Sequence, residues 1–179
     1  DGYRFYPDKI KGEGFYLAAL KKTVANERMP RNKTKPKWEP VSKNIRDTLS
    51  RWIVMDDLVV VKSNDNLLAL PVATEKCLQL LTTLYIRKAG ISLGKWAGED
   101  LVPDHALALS QLLRKGLTVL ELDRDNALRY LRKEEIDAGN TARGWVLVQF
   151  NGQNLGWIKQ LGNRSNNYYP KEWRILKPA

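Results

Sequence analysis

The chain has 179 residues, and its 30 Lys+Arg against 20 Asp+Glu leave a net charge of +10. Its 43% hydrophobic content is enough for a core and excludes disorder over most of the length, while one Cys and one His exclude an internal disulfide and an ordinary zinc site of about four such ligands. No apolar run approaches the roughly 18 residues of a membrane span and Asp1-Gly2-Tyr3-Arg4 is no signal peptide, so a reducing, cytoplasmic setting is expected, with no membrane partner.

In chain order, residues 3–6 and 14–20 read as two short strands around the turn-rich Pro7-Asp8 and Gly12-Glu13-Gly14. Residues 23–40 carry prolines and a dense run of cations, which reads as a basic linker. Ser42 is the expected N-cap of a helix whose Ile45, Leu49, Trp52 and Ile53 share one stripe. Residues 58–62 and 67–70 predict a hairpin closed around Asn64-Asp65-Asn66. A helix over 72–84 follows, with Ala73, Cys77, Leu80, Leu81 and Leu84 on one side, then strands at 85–88 and 91–95.

Pro103-Asp104 opens a helix that puts His105, Ala108, Leu109, Leu112 and Leu113 on one face. Residues 118–122 predict a strand. Asp123 then caps a helix over 124–133 that buries Ala127, Leu128 and Leu131 and leaves Arg129, Arg132 and Lys133 as a basic ridge. Residues 145–150 and 155–160 pair around Asn151-Gly152, the best hairpin signal in the chain. Trp145 and Trp157 lie in apolar strands and are expected in the core. Helices mixed with short antiparallel strands make the fold class α+β.

The charge is unevenly placed. Residues 21–51 hold ten cations against three acids, and residues 143–179 hold Arg143, Lys159, Arg164, Lys171, Arg174 and Lys177 against Glu172 alone. Two basic clusters around a mildly acidic middle look like a footprint for an anionic partner. With six Trp and seven Tyr in the same chain, RNA is the first expectation. A solvated linker and a solvated tail is the plainer reading of the same pattern.

Catalytic chemistry is hard to find. Gly12-Glu13-Gly14 lacks the third glycine and the helix of a dinucleotide fingerprint. His105 lies on an apolar stripe and reads as structural. Cys77 faces the core of its expected helix and has no imidazole nearby in sequence to activate it. Glu134-Glu135 are adjacent and point apart into solvent.

Arg4-Phe5-Tyr6-Pro7-Asp8-Lys9 followed by Gly12-Glu13-Gly14-Phe15 resembles the last strand pair of the Nop/Sun family of RNA cytosine-5 methyltransferases. The family usually has His where this chain has Asp8, so no imidazole role carries over there. Gly90-Ile91-Ser92-Leu93-Gly94-Lys95 and Pro103-Asp104-His105-Ala106-Leu107 are similar to the middle segment of the bacterial branch that modifies small-subunit ribosomal RNA. Gly144-Trp145-Val146-Leu147-Val148, Leu155-Gly156-Trp157-Ile158-Lys159 and Asn167-Tyr168-Tyr169-Pro170-Lys171-Glu172-Trp173-Arg174 resemble its PUA-like domain. That branch has His, Gly and Leu at the places of Tyr168, Glu172 and Trp173, while Pro170, Lys171 and Arg174 stay in register.

The resemblance implies four parts. Residues 1–22 would be a remnant of the catalytic domain and 23–40 the linker. A mixed α+β middle segment would fill 41–97, and a mostly antiparallel PUA-like RNA-binding domain 98–179. It also implies S-adenosylmethionine and two cysteines, one after Pro and one after Thr, in a catalytic domain of the same protein lying before Asp1. Cys77 matches neither setting, so this chain is expected to hold no cofactor, no metal and no catalytic residue. It would be a processed or designed C-terminal piece and a monomer.

Its expected work is to grip small-subunit ribosomal RNA for the upstream domain. Lys159, Lys171 and Arg174 would meet phosphates, joined by Arg143. Asn166 and Asn167 would read 2′-hydroxyls or base edges, and Tyr168 or Tyr169, of which one is expected packed and one exposed, would stack on an unpaired base. A free-standing PUA-like adaptor in ribosome assembly is the alternative. A basic protein-binding or membrane-surface module is a third reading, disfavoured by the lack of a long basic amphipathic helix.

Overall fold

A computed structural model describes residues 2–9, 11–21, 38–77, 88–139 and 141–176. It divides into two units, Asp1–Thr34 and Lys35–Ala179. The first is a hairpin of β1 (Gly2–Phe5) and β2 (Phe15–Ala18), in antiparallel register from Gly2↔Ala18 to Phe5↔Phe15. Every residue of both strands is exposed. What the hairpin has is contact with itself. The Phe5 and Phe15 rings lie 5.8 Å apart, and the Arg4 guanidinium lies 5.7 Å from the Tyr16 ring centre.

The second unit holds two sheets. The first runs as a meander of β3 (Glu39–Pro40), β4 (Leu58–Ser63), β5 (Asn66–Pro71), β6 (Ile91–Ala97) and β7 (Asp100–Pro103). Its β4–β5 turn is the two residues Asn64-Asp65, with Asn64 at φ 55°. A bulge in β6 falls at Gly94, whose φ of 141° and an added Cβ only 2.1 Å from the Val102 carbonyl oxygen leave no room for a side chain. The second sheet has the order β11–β10–β9–β8, made by β8 (Val119–Glu121), β9 (Gly144–Phe150), β10 (Gln153–Gln160) and β11 (Ser165–Asn167). Only β8–β9 is parallel; the other pairs in both sheets are antiparallel. With helices α1 (Lys43–Leu49), α2 (His105–Ala108) and α3 (Arg124–Leu131), the class is α+β.

The second sheet is covered on both faces, as its alternation requires. Val146, Val148 and Ile158 pack with Ala127 and Tyr130 of α3. Leu147 and Trp157 enter the core shared with Val60, Leu67, Leu93 and Leu101 of the first sheet. Trp157 is also tied down by its indole, which donates to the Asp104 carbonyl at 3.0 Å. The Asn151-Gly152 turn has both residues at positive φ, 50° and 71°, as a tight hairpin demands.

Caps were legible, lengths less so. Ser42, Asp104 and Asp123 each cap a helix with a side-chain oxygen accepting from the backbone N–H of Ile45, Ala106 and Asn126. The stripe expected to carry α1 to Ile53 breaks at Leu49, because Ile53 bridges to Leu113. The helix expected to run on to Leu113 ends at Ala108 for the same reason. Its Ala108 carbonyl is taken by Asn154 Nδ2 at 2.7 Å, and Val54 N–H and Arg114 N–H bond to the Leu112 and Trp52 carbonyls. On α3 the buried residues are Ala127 and Tyr130, with Leu128 and Leu131 only half-buried.

Three strands were not expected: β3, β7 and β11. β3 lies in the last residues of the expected linker, next to a buried Trp38 that packs on Val61 and Leu70. β7 pairs with β6, so the first sheet runs past residue 97 to Pro103. Over 72–84 the structure has a 3-10 stretch, Val72–Cys77. The remainder of that expected helix, the strand expected at 85–88 except its last residue, and the linker up to residue 37 lie outside the described residues.

Candidate nucleic-acid interface

Cross-strand register brings two of the expected residues, Lys159 and Asn166, into one row with Trp145. Trp145 on β9 pairs with Lys159 on β10, and Lys159 pairs with Asn166 on β11. Directly paired residues project to the same side of a sheet, so the three form a row. The Lys159 ammonium sits 5.2 Å from the Trp145 ring centre. Tyr168, just past β11, meets Trp145 edge-on at 4.5 Å and 73°. Asn166 and Tyr168 are exposed, and Trp145 and Lys159 half-buried. Trp145 is therefore a rim residue, unlike Trp157, which is 1% exposed. Sequence reasoning placed both in the core, since both occupy apolar strands. The available signal was position: Trp145 stands near the end of β9, where it packs on the edge of the shared core and not inside it.

The tail docks beside this row. Tyr169 packs on Tyr130 at 5.5 Å and on His105 at 5.2 Å, and Trp173 meets His105 from another side at 5.2 Å. Ile175 N–H donates to the Leu131 carbonyl at 3.0 Å. Between these anchors the 3-10 turn Lys171–Trp173 holds Lys171 and Arg174 in solvent. Proline at 170 fixes φ and sets the direction in which the turn leaves. His105 is structural as expected, but its Nδ1 is buried without a hydrogen-bond partner among the described residues. That burial lowers its pKa from the usual 6.5, against an opposing pull from Asp104.

Lys133 is exposed, as expected of the ridge, and makes bonds that were not expected. At φ 63° it leaves the end of α3, and its ammonium donates to the Asn167 carbonyl at 3.2 Å and to the Tyr169 carbonyl. Burial lowers its pKa; Glu172 raises it, while Arg174 and Lys171 lower it, which marks those three charges as its neighbours. Arg129 is paired with Glu134 at 3.7 Å. Among the described residues that is the one ion pair, so Arg143, Lys159, Lys171 and Arg174 carry uncompensated charge. Arg143 is exposed and lies over Gly162, where an added Cβ would come 3.1 Å from its Nη2.

Asn167 is held by the fold itself. Its Nδ2 donates to the carbonyls of Tyr130 and Glu134 at 2.9 and 3.0 Å, and its Oδ1 accepts from Tyr169 N–H at 2.9 Å. Both donors are used within the chain, and one lone pair of Oδ1 is left to accept from a ligand. A cleft of about 650 Å³ nearby holds Arg129 and Arg164 but also Glu135 and Asp137, so it offers phosphate no net attraction. Among the described residues no group of three or more His, Cys, Asp or Glu is placed to hold a metal, and no helix is long and apolar enough to cross a membrane.

Comparison with known proteins gives this chain relatives. Residues 117–175 match the family described as the methyltransferase RsmF PUA domain. Over 184 residues the chain is 26% identical to ribosomal RNA small subunit methyltransferase F of Shewanella loihica, covering 93% of this chain and 36% of that protein. The protein of the same name from Vibrio vulnificus is 26% identical over 183 residues, covering 96% and 38%. One from Shewanella sp. (strain W3-18-1) is 27% identical, covering 93% and 37%. The chain thus spans little more than a third of the curated relatives it matches. It is similar over nearly its whole length to the C-terminal region of ribosomal RNA small subunit methyltransferases F, with an RsmF-type PUA domain at residues 117–175.

Proposed function

We propose that this chain is the RNA-gripping region of an S-adenosylmethionine-dependent ribosomal RNA cytosine-5 methyltransferase. The observation that carries the reading is the set of late cations, Arg143, Lys159, Lys171 and Arg174, none of which is in an ion pair among the described residues. Uncompensated cations on a fixed frame attract phosphate and release its counterions. The names of the relatives supply the nucleic acid: small-subunit ribosomal RNA.

The physical need is plain. Methylating C5 of cytosine requires a base taken out of its stack, and a pocket that holds one base cannot choose among many cytosines. A neighbouring domain that grips surrounding RNA by phosphate and shape supplies that choice. This chain adds no step of the transfer. The chemistry implied by the resemblance takes two cysteines, and the chain has one, outside both settings. Cofactor and cysteines belong in this reading to the catalytic domain of the parent protein, to which residues 1–22 contribute the last strand pair. The whole protein works in the cytoplasm as a monomer.

Replacing Lys159, Lys171 and Arg174 together by Ala is expected to weaken binding to structured RNA. It should also reduce the slope of log K against log salt by about one per lost phosphate contact. Folding should be unaffected, which circular dichroism checks. A slope equal to the parent's removes these residues from the interface.

A further inference from the structure

We propose that Tyr168, braced by Trp145 and accompanied by Lys159, is a stacking site for a single unpaired nucleobase. The inference rests on the RNA-binding reading and narrows it from ribosomal RNA in general to a looped-out or bulged nucleotide.

The backbone around Tyr168 is held with unusual thoroughness for a stretch so near the surface. Lys133 Nζ donates to the carbonyls of both its neighbours, Asn167 and Tyr169. Asn167 ties back to the end of α3 through the carbonyls of Tyr130 and Glu134. Tyr168 N–H itself donates to the Trp157 carbonyl at 3.0 Å. Its neighbours thus face inward, Tyr169 onto Tyr130 and His105, while Tyr168 is 38% exposed. Trp145 meets that ring edge-on, which fixes its tilt and leaves ring surface uncovered.

A rigid exposed aromatic ring is what an unstacked base uses as a partner, because every base has a π-face and little entropy is lost on a preset surface. Lys159 completes the site. Its ammonium rests on the Trp145 ring with no carboxylate paired to it among the described residues, so turning it to a phosphate gives up only a weak cation–π contact. Bases inside an A-form duplex keep their faces in the stack and cannot reach the ring. The site therefore selects unpaired nucleotides.

The test uses the whole chain and a stem-loop RNA whose loop carries one unpaired purine, compared with the same RNA abasic at that nucleotide. Parent protein should bind the base-bearing RNA roughly tenfold tighter than the abasic one. Y168L should lose that advantage and bind both alike, whereas Y168F, which keeps the ring, should retain it. The parent comparison needs no variant, so a poorly folded Y168L leaves the test intact. Equal binding of the two RNAs with a steep salt dependence overturns the stacking site and leaves the cationic grip standing. Binding of neither RNA by folded protein overturns both.

Discussion

Two aromatic hairpins in this molecule differ in almost everything but their pairing. β1–β2 holds Tyr3, Phe5, Phe15 and Tyr16, all exposed, with Phe15 at 61% and Tyr16 at 59%. β9–β10 holds Trp157 at 1% and Ile158 at 0%, with a sheet on one side and a helix on the other. Aromatic content does not bury a strand. What buries it is a layer on each face, supplied by other parts of the chain. A two-stranded hairpin by itself has no such layers and is at best marginal in water.

The sharpest way to break this comparison is to make the same kind of cut in each hairpin. Trp157→Ala should cost about 4 kcal/mol, since it opens a large cavity and removes one of the two donors to the Asp104 carbonyl, leaving Leu107 N–H. Phe15→Ala should change the unfolding of Lys35–Ala179 by less than about 0.5 kcal/mol. Guanidinium titrations of both variants check the contrast, and equal losses would contradict it.

A finer cut tests whether the layers over β10 are close-packed. Gly156 sits at the β10 bulge with φ 148°, and an added Cβ would lie 2.3 Å from the Tyr130 hydroxyl and 2.9 Å from His105 Nδ1. Gly156→Ala should therefore cost about 2 kcal/mol by overpacking. The same change at Gly12 of the first hairpin meets nothing within 4 Å. A neutral Gly156→Ala would mean that Tyr130 and His105 can retreat.

The mildest probe is acid. The unfolded chain takes up a proton at His105 near its usual 6.5, whereas the folded chain resists until lower pH because burial disfavours the imidazolium. Stability should be level above that value and fall as pH drops below 6.5, until the folded protein also protonates. Replacing His105 by Phe should flatten this part of the stability curve. A fall of the same size in His105→Phe assigns the loss to other groups.

The hairpins show how much was legible in the sequence. Period-two alternation and Asn151-Gly152 predicted β9–β10 within a residue or two. The helix caps at Ser42, Asp104 and Asp123 were equally plain, because capping is a local bond between near neighbours. Helix lengths were not local. Residues 109–113 carry a helical stripe, yet Leu113 bridges to Ile53, sixty positions earlier in the chain. β11 has no apolar signal at all, since Ser165-Asn166-Asn167 becomes a strand only by pairing with β10.

Of the candidate interface, residue types were readable and their allegiances were not. Lys159, Lys171, Arg174 and Arg143 were picked for charge, and the fold leaves them unpaired among the described residues. Asn166 and Tyr168 remain on the surface, while Asn167, their neighbour, is engaged by the backbone of α3 and the tail. Lys133 was assigned to solvent and also holds the strand that presents Tyr168.

By itself, then, the order of residues determined turns, caps, alternation and the excess of positive charge, all of which depend on interactions a few positions apart. The tertiary structure alone decided which cations stand outside ion pairs among the described residues, which amide is engaged by the backbone and which tryptophan is left at the rim. Each of those outcomes is a choice among competing partners far apart in the chain. Such choices are settled only when the layers come together and buried polar groups compete for the partners within reach.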